Sequence, residues 1–163
     1  MARERLRNER WGFESNCFVC EPKNLAGLQL PFEHDDELDA VVCEFTLDGR
    51  FSGAPRLVHG GVLLAILDEA MAWATIAISK RFAVTEQTTS RFTRPVKLDR
   101  AHRCEARVTS FEGERITTTG VILDRFDQVC VEAEATFHVL MEAQAVEVIG
   151  ELSDEERGYL SAP

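Results

Sequence analysis

The stretch that most constrains the fold of this chain is residues 58–79, which reads VHGGVLLAILDEAMAWATIAIS. Within it, residues 62–78 are apolar on every side of a helical wheel except at Asp68, Glu69 and Thr75. A helix without a polar face has no side left for water, so other parts of the fold must surround it. Two acids near its centre and a length of about 17 residues make it a poor membrane span. The stretch therefore predicts a buried core helix.

Two features of this helix are not explained by packing alone. Burying Asp68 is costly unless its carboxylate is paired or takes part in chemistry. Gly60 and Gly61 stand at the predicted helix start, where they would let a ligand approach bare N–H groups at the positive end of the helix dipole. Both features predict a binding or catalytic site on the helix.

Composition narrows the classes of protein to be considered. A chain of 163 residues is expected to form one domain with a substantial core, and its 45% of apolar residues excludes a disordered protein. The net charge of −10 argues against nucleic-acid binding and against a role on an anionic membrane surface, since both favour basic proteins. The first residues mix arginine with glutamate and lack an apolar signal segment, so a cytoplasmic location is expected.

The cysteines do not suggest a disulfide framework. Their number is odd and three of them fall in strand-like runs; the five are Cys17, Cys20, Cys43, Cys104 and Cys130. The Cys17-x-x-Cys20 pair has the spacing of half a zinc site, but no second cysteine pair follows at a usable distance. Two unbound thiols and no metal are therefore expected.

Alternating apolar and polar residues predict strands on both sides of the helix. The expected strands cover residues 28–32, 39–47, 83–92, 104–111, 115–123 and 128–140. About six antiparallel strands can bury one apolar helix if they form a sheet that curls around it, so this arrangement is expected. Because one sheet rarely covers a helix completely, a second copy of the chain is expected to help.

The ends of the chain differ from its middle. We expect an N-terminal arm over residues 1–16, a main domain over 17–141 and a tail over 142–163. Within the tail, Ser153 is followed by three acids and has the pattern of a helix start.

The central stretch resembles a known family. HGGVLLAILDEAMAWA is similar to the signature helix of the hot-dog-fold acyl-CoA thioesterases, in particular the branch that includes phenylacetyl-CoA thioesterases. The shared features are the His-Gly-Gly triplet and Asp68, nine positions after the histidine. VTEQTTSRFTRPV resembles the strand that ends in the family's aromatic-x-Arg-Pro signature, and CFVCEPKNLAGLQL resembles an N-terminal segment of a bacterial subgroup. The resemblance covers roughly residues 17–140.

This resemblance implies an α+β hot-dog fold, an antiparallel sheet wrapped around one long central helix. It further implies a homodimer or a dimer of dimers, with the sheets paired edge to edge and the active sites at the dimer interface. The substrate would be an acyl-CoA, hydrolysed to a free acid and coenzyme A, with no cofactor apart from the coenzyme A of the substrate. Helix geometry agrees on one point, since Gly61 and Asp68 stand about 10 Å apart along the helix. Chemistry that uses both ends then needs two subunits.

The family implies catalytic roles for four residues. Asp68 would attack the thioester carbonyl or activate a water, and the Gly60 N–H would polarise that carbonyl. An N–H at a helix start stabilises a developing oxyanion. His59 would shape the loop that carries this N–H, and Thr85 matches a Ser/Thr position that orients the attacking water. Glu69, the neighbour of Asp68, is the second choice for the carboxylate.

Substrate binding is expected from Gly61 and from a run of basic residues. Cations recur at every third position in Arg91, Arg94, Lys97, Arg100 and Arg103. In an acidic protein these are candidates for the phosphates of coenzyme A, with Arg94 and Lys97 foremost and Arg91 next. Four large apolar residues are expected either to line an acyl pocket or to belong to the core: Met71, Trp73, Phe82 and Phe92.

One position departs from the family pattern, and two other functions remain open. Several relatives carry Asn or Gln six residues before the histidine, where this chain has Gly53. A non-catalytic hot-dog protein that binds acyl-CoA is the main alternative. A hot-dog hydratase acting on enoyl-CoA ranks behind it, because no histidine follows Asp68 within the helix.

Overall fold

The computed structural model describes residues 3–11 and 15–160. Its strands are β1 (Arg3–Arg5), β2 (Glu33–Asp35), β3 (Ala40–Phe45), β4 (Ser52–Ala54), β5 (Leu57–Val58), β6 (Ala83–Phe92), β7 (His102–Glu112), β8 (Arg115–Leu123) and β9 (Val129–Val139). Its helices are α1 (Gly60–Ala77), α2 (Glu142–Ile149) and α3 (Asp154–Arg157). The expected arm over 1–16 falls partly outside the described residues, and the expected domain limits stay a prediction.

One antiparallel sheet of seven strands forms the body of the protein, in the order β1-β2-β3-β7-β8-β9-β6. The long helix α1 packs against β3, β6, β7, β8 and β9, so the sheet curves around it. β4 and β5 form a separate hairpin just before α1. This is the hot-dog fold that the sequence led us to expect, and the expectation is confirmed.

The sheet covers one side of α1. Ile66, Leu67, Ala70 and Met71 are completely buried beneath it, whereas Leu64 is 36% exposed. α1 is long and apolar enough to cross a membrane by composition, but half of it is buried inside this fold. One chain thus leaves part of α1 uncovered, and the expectation that a second copy completes its burial stays a prediction.

The strand bounds follow the alternation closely, with one exception. β6 and β8 coincide with the expected ranges 83–92 and 115–123, but residues 28–32 are not a strand. Leu28 and Leu30 are buried as their alternation suggests. Their N–H groups donate to the carbonyls of Phe18 and Val19 instead of to a sheet neighbour.

The last strand in the sheet order, β6, lies at an edge, and within residues 3–11 and 15–160 it pairs only with β9. It is ten residues long, and most of its side chains are exposed. Long exposed edges are ready to pair with another chain, and proteins rarely leave them uncovered.

The C-terminal tail docks onto the start of β6 through a second apolar cluster, which contains Phe82, Leu140, Ala145, Leu152 and Leu160. The Phe82 ring stacks on Tyr159 with 5.2 Å between ring centroids. The helix start expected at Ser153 is confirmed, since its hydroxyl accepts the Glu156 N–H in a capping box.

Candidate functional site

The carboxylate of Asp68 meets a hydroxyl from the edge strand. Thr85 Oγ1 donates a hydrogen bond to Asp68 Oδ1 at 2.8 Å. Asp68 is partly buried, and Thr85 is exposed in the single chain. The ladder between β6 and β9 shifts register between Thr85 and Gln87, and such an irregularity redirects a side chain. Two residues named from the sequence, 17 positions apart, are thus in direct contact.

At the start of α1, the backbone N–H groups of the two glycines have different surroundings. His59 is the N-cap residue, and its Nδ1 accepts the Gly61 N–H at 2.9 Å, which places the ring proton on Nε2. In the described part of the chain, no acceptor takes the N–H of Gly60. Gly60 therefore offers a backbone donor to a ligand, whereas the Gly61 donor is already engaged by His59.

Close packing around His59 explains the departure at Gly53. A Cβ at position 53 would lie 2.9 Å from His59 Cα, closer than side-chain atoms normally approach a backbone. The hairpin of β4 and β5 thus presses its backbone directly against the helix start. An Asn or Gln at this position would not fit the backbone path seen here.

Of the aromatic and large apolar candidates, one lies at the helix start. The Phe92 ring is in van der Waals range of Gly60, since a Cβ there would stand 3.6 Å from ring carbons, and Phe92 is 50% exposed. Met71 and Trp73 belong to the main core. Phe82 belongs to the cluster under the tail. Phe92 is therefore the one of the four that stands beside the free Gly60 donor.

The two ends of the candidate site are separated within one chain. Gly60 and Asp68 are eight residues apart on α1, which corresponds to about 12 Å along the helix. A single carbonyl group cannot contact both. Chemistry that uses both groups requires two chains.

The basic residues expected to bind phosphate have different surroundings. Arg91 forms an ion pair with Glu132, at 3.6 Å between Nε and Oε1. Arg94 Nη1 donates to the Val129 carbonyl at 2.8 Å. Both are exposed, but each already has a partner on β9 or next to it.

Lys97 lies in a different setting, in a groove of about 790 Å³ that it shares with Arg56 and Arg100. Asp99 is the one acid among the residues that line this groove. The sequence analysis did not single out Arg56, because the groove forms only when residues 55–57 pack against residues 97–100. The Leu57–Lys97 bridge that joins the two segments has no local sequence signal.

Glu69 does not face Asp68 and Thr85. Cys17 Sγ lies 3.4 Å from Glu69 Oε2, and the ligand atoms of Cys17, Cys20 and Glu69 all lie within 4.8 Å of one another. Burial raises the pKa of Glu69 to about 7, and the nearby Cys17 adds to the shift. The hydrogen bond between the two sulfurs lowers the pKa of Cys17 to about 5 and raises that of Cys20. Glu69, the second choice for the carboxylate, thus lies against the two cysteines.

Comparison with known proteins shows which family the central part of this chain resembles. The family model described as the thioesterase superfamily matches residues 56–131, the range that contains α1, β6, β7, β8 and the start of β9. Slightly less than half of the chain is thus similar to the thioesterase superfamily. A search of curated proteins gave no match.

Several solved structures of thioesterase-superfamily proteins are similar to this chain. A crystal structure described as a thioesterase superfamily protein is 29% identical, with a TM-score of 0.71; the match covers 76% of this chain and 60% of that one. The PaaI protein from the phenylacetic acid degradation operon of E. coli is 20% identical, with a TM-score of 0.59 over 63% of this chain and 74% of that one.

A hypothetical thioesterase from Streptococcus pneumoniae, solved with coenzyme A, is 18% identical, with a TM-score of 0.59 over 62% of this chain and 78% of that one. This chain thus spans only 60% of the length of the thioesterase superfamily protein with which it shares 29% identity.

Proposed function

We propose that this protein is an acyl-CoA thioesterase that hydrolyses the thioester bond to release a free acid and coenzyme A. The observation that carries the proposal is the hydrogen bond between Thr85 Oγ1 and Asp68 Oδ1, two residues inside the range that matches the thioesterase superfamily model. It holds a partly buried carboxylate in one orientation next to a hydroxyl that a water molecule could share.

In the proposed reaction, Asp68 is the nucleophile or the general base. Either Asp68 takes a proton from a water that adds to the thioester carbonyl, or the carboxylate itself adds and forms an acyl anhydride that water then hydrolyses to the free acid. In both routes the C–S bond breaks, and the leaving thiolate takes up the proton that the water gave, so that coenzyme A leaves as a thiol. Thr85 is a positioning residue, since its hydroxyl fixes one Asp68 oxygen and leaves the other available. A correctly placed general base contributes about 10²- to 10⁴-fold to the rate.

The oxyanion that forms during this reaction needs a donor, and the Gly60 N–H is free to supply it. The helix dipole adds a partial positive charge at the same place. Because Gly60 and Asp68 of one chain are about 12 Å apart, we propose that each active site combines Asp68 of one subunit with Gly60 of another. The exposed edge of β6 is where the two sheets of a homodimer would join, and such dimers could pair again.

Coenzyme A carries phosphate groups, and the groove of Arg56, Lys97 and Arg100 concentrates positive charge on an acidic protein. We propose that this groove, rather than Arg91, holds the nucleotide phosphates, because the guanidinium of Arg91 is paired with Glu132. The similar pneumococcal structure was solved with coenzyme A, which supports coenzyme A as the kind of ligand that this protein binds.

The alternative is a protein that binds acyl-CoA without cleaving it. It is favoured by the departure at Gly53, because this chain lacks the amide that several relatives carry there. Cleavage and binding can be separated by measuring both on the same sample.

The test measures thiol release from short, medium, long and aryl acyl-CoAs, beside calorimetric binding of coenzyme A. Asp68→Asn should lower kcat by ~10²-fold or more, and Thr85→Ala by ~10-fold or more. Thr89→Ala is the matched control, since Thr89 is an exposed threonine of β6 that pairs with Glu134 and has no contact with Asp68. Wild-type protein that binds coenzyme A but releases no thiol from any substrate would establish the binding role instead.

A further inference from the structure

We propose that Cys17, Cys20 and Glu69 bind one Zn²⁺ ion through two thiolates and one carboxylate. Their ligand atoms lie within 4.8 Å of one another, and all three residues are partly buried. Zn–S bonds of about 2.3 Å and Zn–O bonds of about 2.0 Å, at the tetrahedral angle, separate sulfur and oxygen by about 3.5 Å. The 3.4 Å between Cys17 Sγ and Glu69 Oε2 agrees with this distance.

The turn that carries the two cysteines is arranged to support thiolates. The Val19 N–H donates to Cys17 Sγ at 3.3 Å, and Asn8 Nδ2 donates to Cys20 Sγ at 3.5 Å. The Glu21 N–H closes the turn on the Cys17 carbonyl at 3.3 Å. Donors of this kind stabilise negative sulfur and fix the orientation of metal ligands. Two residues between the cysteines is also the common spacing of a zinc-binding pair.

Charge gives a second, independent reason for a cation at this place. Glu69 is a partly buried carboxylate whose recorded contacts are the thiols of Cys17 and Cys20; among the described basic residues, none forms an ion pair with it. A buried acid beside two thiols is unfavourable unless positive charge balances it. Thiolate ligands favour zinc over magnesium or calcium, which prefer oxygen.

The third ligand explains why the spacing of Cys17 and Cys20 suggested only half of a zinc site. It comes from α1, 49 residues after Cys20, and not from a second cysteine pair. In the residues that the structure describes, the cluster offers three ligand groups, so water would complete the tetrahedron. The ion would join the 17–20 turn to the central helix, on a different side from Asp68 and Thr85, and would stabilise the fold.

The test titrates reduced, chelator-treated protein with Zn²⁺ and with Co²⁺. We expect one equivalent of either ion per chain, and for cobalt the thiolate charge-transfer absorption and intense visible bands of a tetrahedral site. Glu69→Gln keeps the side-chain shape and should weaken zinc affinity by ~10-fold or more, and Cys20→Ser should abolish stoichiometric binding. Glu21→Gln is the matched control, because Glu21 is a buried acid next to Cys20 that lies outside the cluster.

Zinc should also raise the Tm of the wild type and of Glu21→Gln, but raise that of Glu69→Gln much less. Wild-type affinity in Glu69→Gln would overturn the proposal, as would reduced wild-type protein that takes up no metal and instead forms a Cys17–Cys20 disulfide on oxidation. If Cys20→Ser does not fold, the cobalt spectrum of the wild type and the pair of glutamine variants still decide the question.

Discussion

At the scale of single residues, two adjacent carboxylates of α1 have different surroundings. Asp68 accepts a hydrogen bond from the hydroxyl of Thr85, whereas Glu69 faces the thiols of Cys17 and Cys20. Neighbours on a helix point about 100° apart, which is enough to place them against different parts of the fold. Two carboxylates that are adjacent in the sequence therefore belong to two different proposed sites.

The N–H that is proposed to stabilise the oxyanion can be removed by a substitution that the start of a helix tolerates. Gly60 is the first residue of α1, where proline is well tolerated, and the extended backbone of His59 suits a following proline. Gly60→Pro deletes the N–H and should lower kcat by ~10²- to 10³-fold. Gly60→Ala keeps the N–H, and its Cβ would only touch the Phe92 ring at 3.6 Å, so its kcat should stay within a few-fold of wild type. Equal rates for the two variants would exclude this donor.

The buried imidazole of His102 should make stability depend on pH. It stacks on Phe45 and its Nδ1 lies 3.0 Å from the Arg100 carbonyl; burial lowers its pKa, although the carbonyl and Asp124 act in the opposite direction. Below about pH 6.5 the unfolded chain binds this proton more readily than the folded chain does, so acid costs folding free energy.

The stability that neutral His102 contributes is thus present above about pH 6.5 and is lost as the pH falls towards the lowered folded value. We expect wild type to lose more stability than His102→Gln between pH 7.5 and 5.5, measured by urea unfolding. A difference between the two proteins that does not change with pH would contradict this expectation.

At the scale of elements, α1 sits close to β8 because Gly120 has no side chain. A Cβ there would lie 3.0 Å from Leu67 Cδ2 and 3.3 Å from Met71 Cγ. This approach sets the spacing between the helix and the middle of the sheet.

Substitutions at Gly120 should separate packing from backbone preference. Gly120→Val favours a strand by propensity but overfills the contact, so it should destabilise the protein by ~1–3 kcal/mol in chemical denaturation. Gly120→Ala should be close to neutral, because the loss of a flexible glycine offsets a shift of the Leu67 and Met71 side chains. A valine variant as stable as wild type would mean that α1 is not tightly held here.

The elements also indicate what a sequence can predict. The range of α1 follows from its long apolar run. The bounds of β6 and β8 follow from alternation, because burial of one face of a strand leaves a repeating pattern. Residues 28–32 alternate equally well without forming a strand, since alternation reports which side is buried and not which partner accepts the hydrogen bonds. Family resemblance suggested a role for Asp68 and a role for Thr85, but neither the resemblance nor the pattern predicted the contact between them. The sequence does show the Cys17–Cys20 spacing and the basic run that includes Lys97. It carries no signal for the distant members, since Glu69 and Arg56 join these groups only through contacts across long separations.

At the scale of the whole molecule, the proposed active site is incomplete in one chain. The free donor of Gly60 and the carboxylate of Asp68 lie on the same helix but too far apart to act on one carbonyl. A homodimer resolves this separation only if each site takes one group from each subunit.

Mixing two inactive variants tests that arrangement. A hybrid dimer of Asp68→Asn and Gly60→Pro chains would contain one site with both defects and one site with none. Random pairing should therefore restore about a quarter of wild-type activity, whereas each variant alone stays inactive. Refolding the two together, with each refolded alone as the control, gives the measurement. No recovery in verified hybrids would mean that each site belongs to a single chain.

Thr85 belongs to β6, whose outer edge has no partner strand in the part of the chain that the structure describes, and its hydroxyl holds the acid at the centre of the proposed chemistry. A second chain that pairs with the edge of β6 would therefore also determine how firmly Thr85 holds Asp68. Dilution that separates the partners should lower turnover per chain before any unfolding begins, so the rate itself would report assembly.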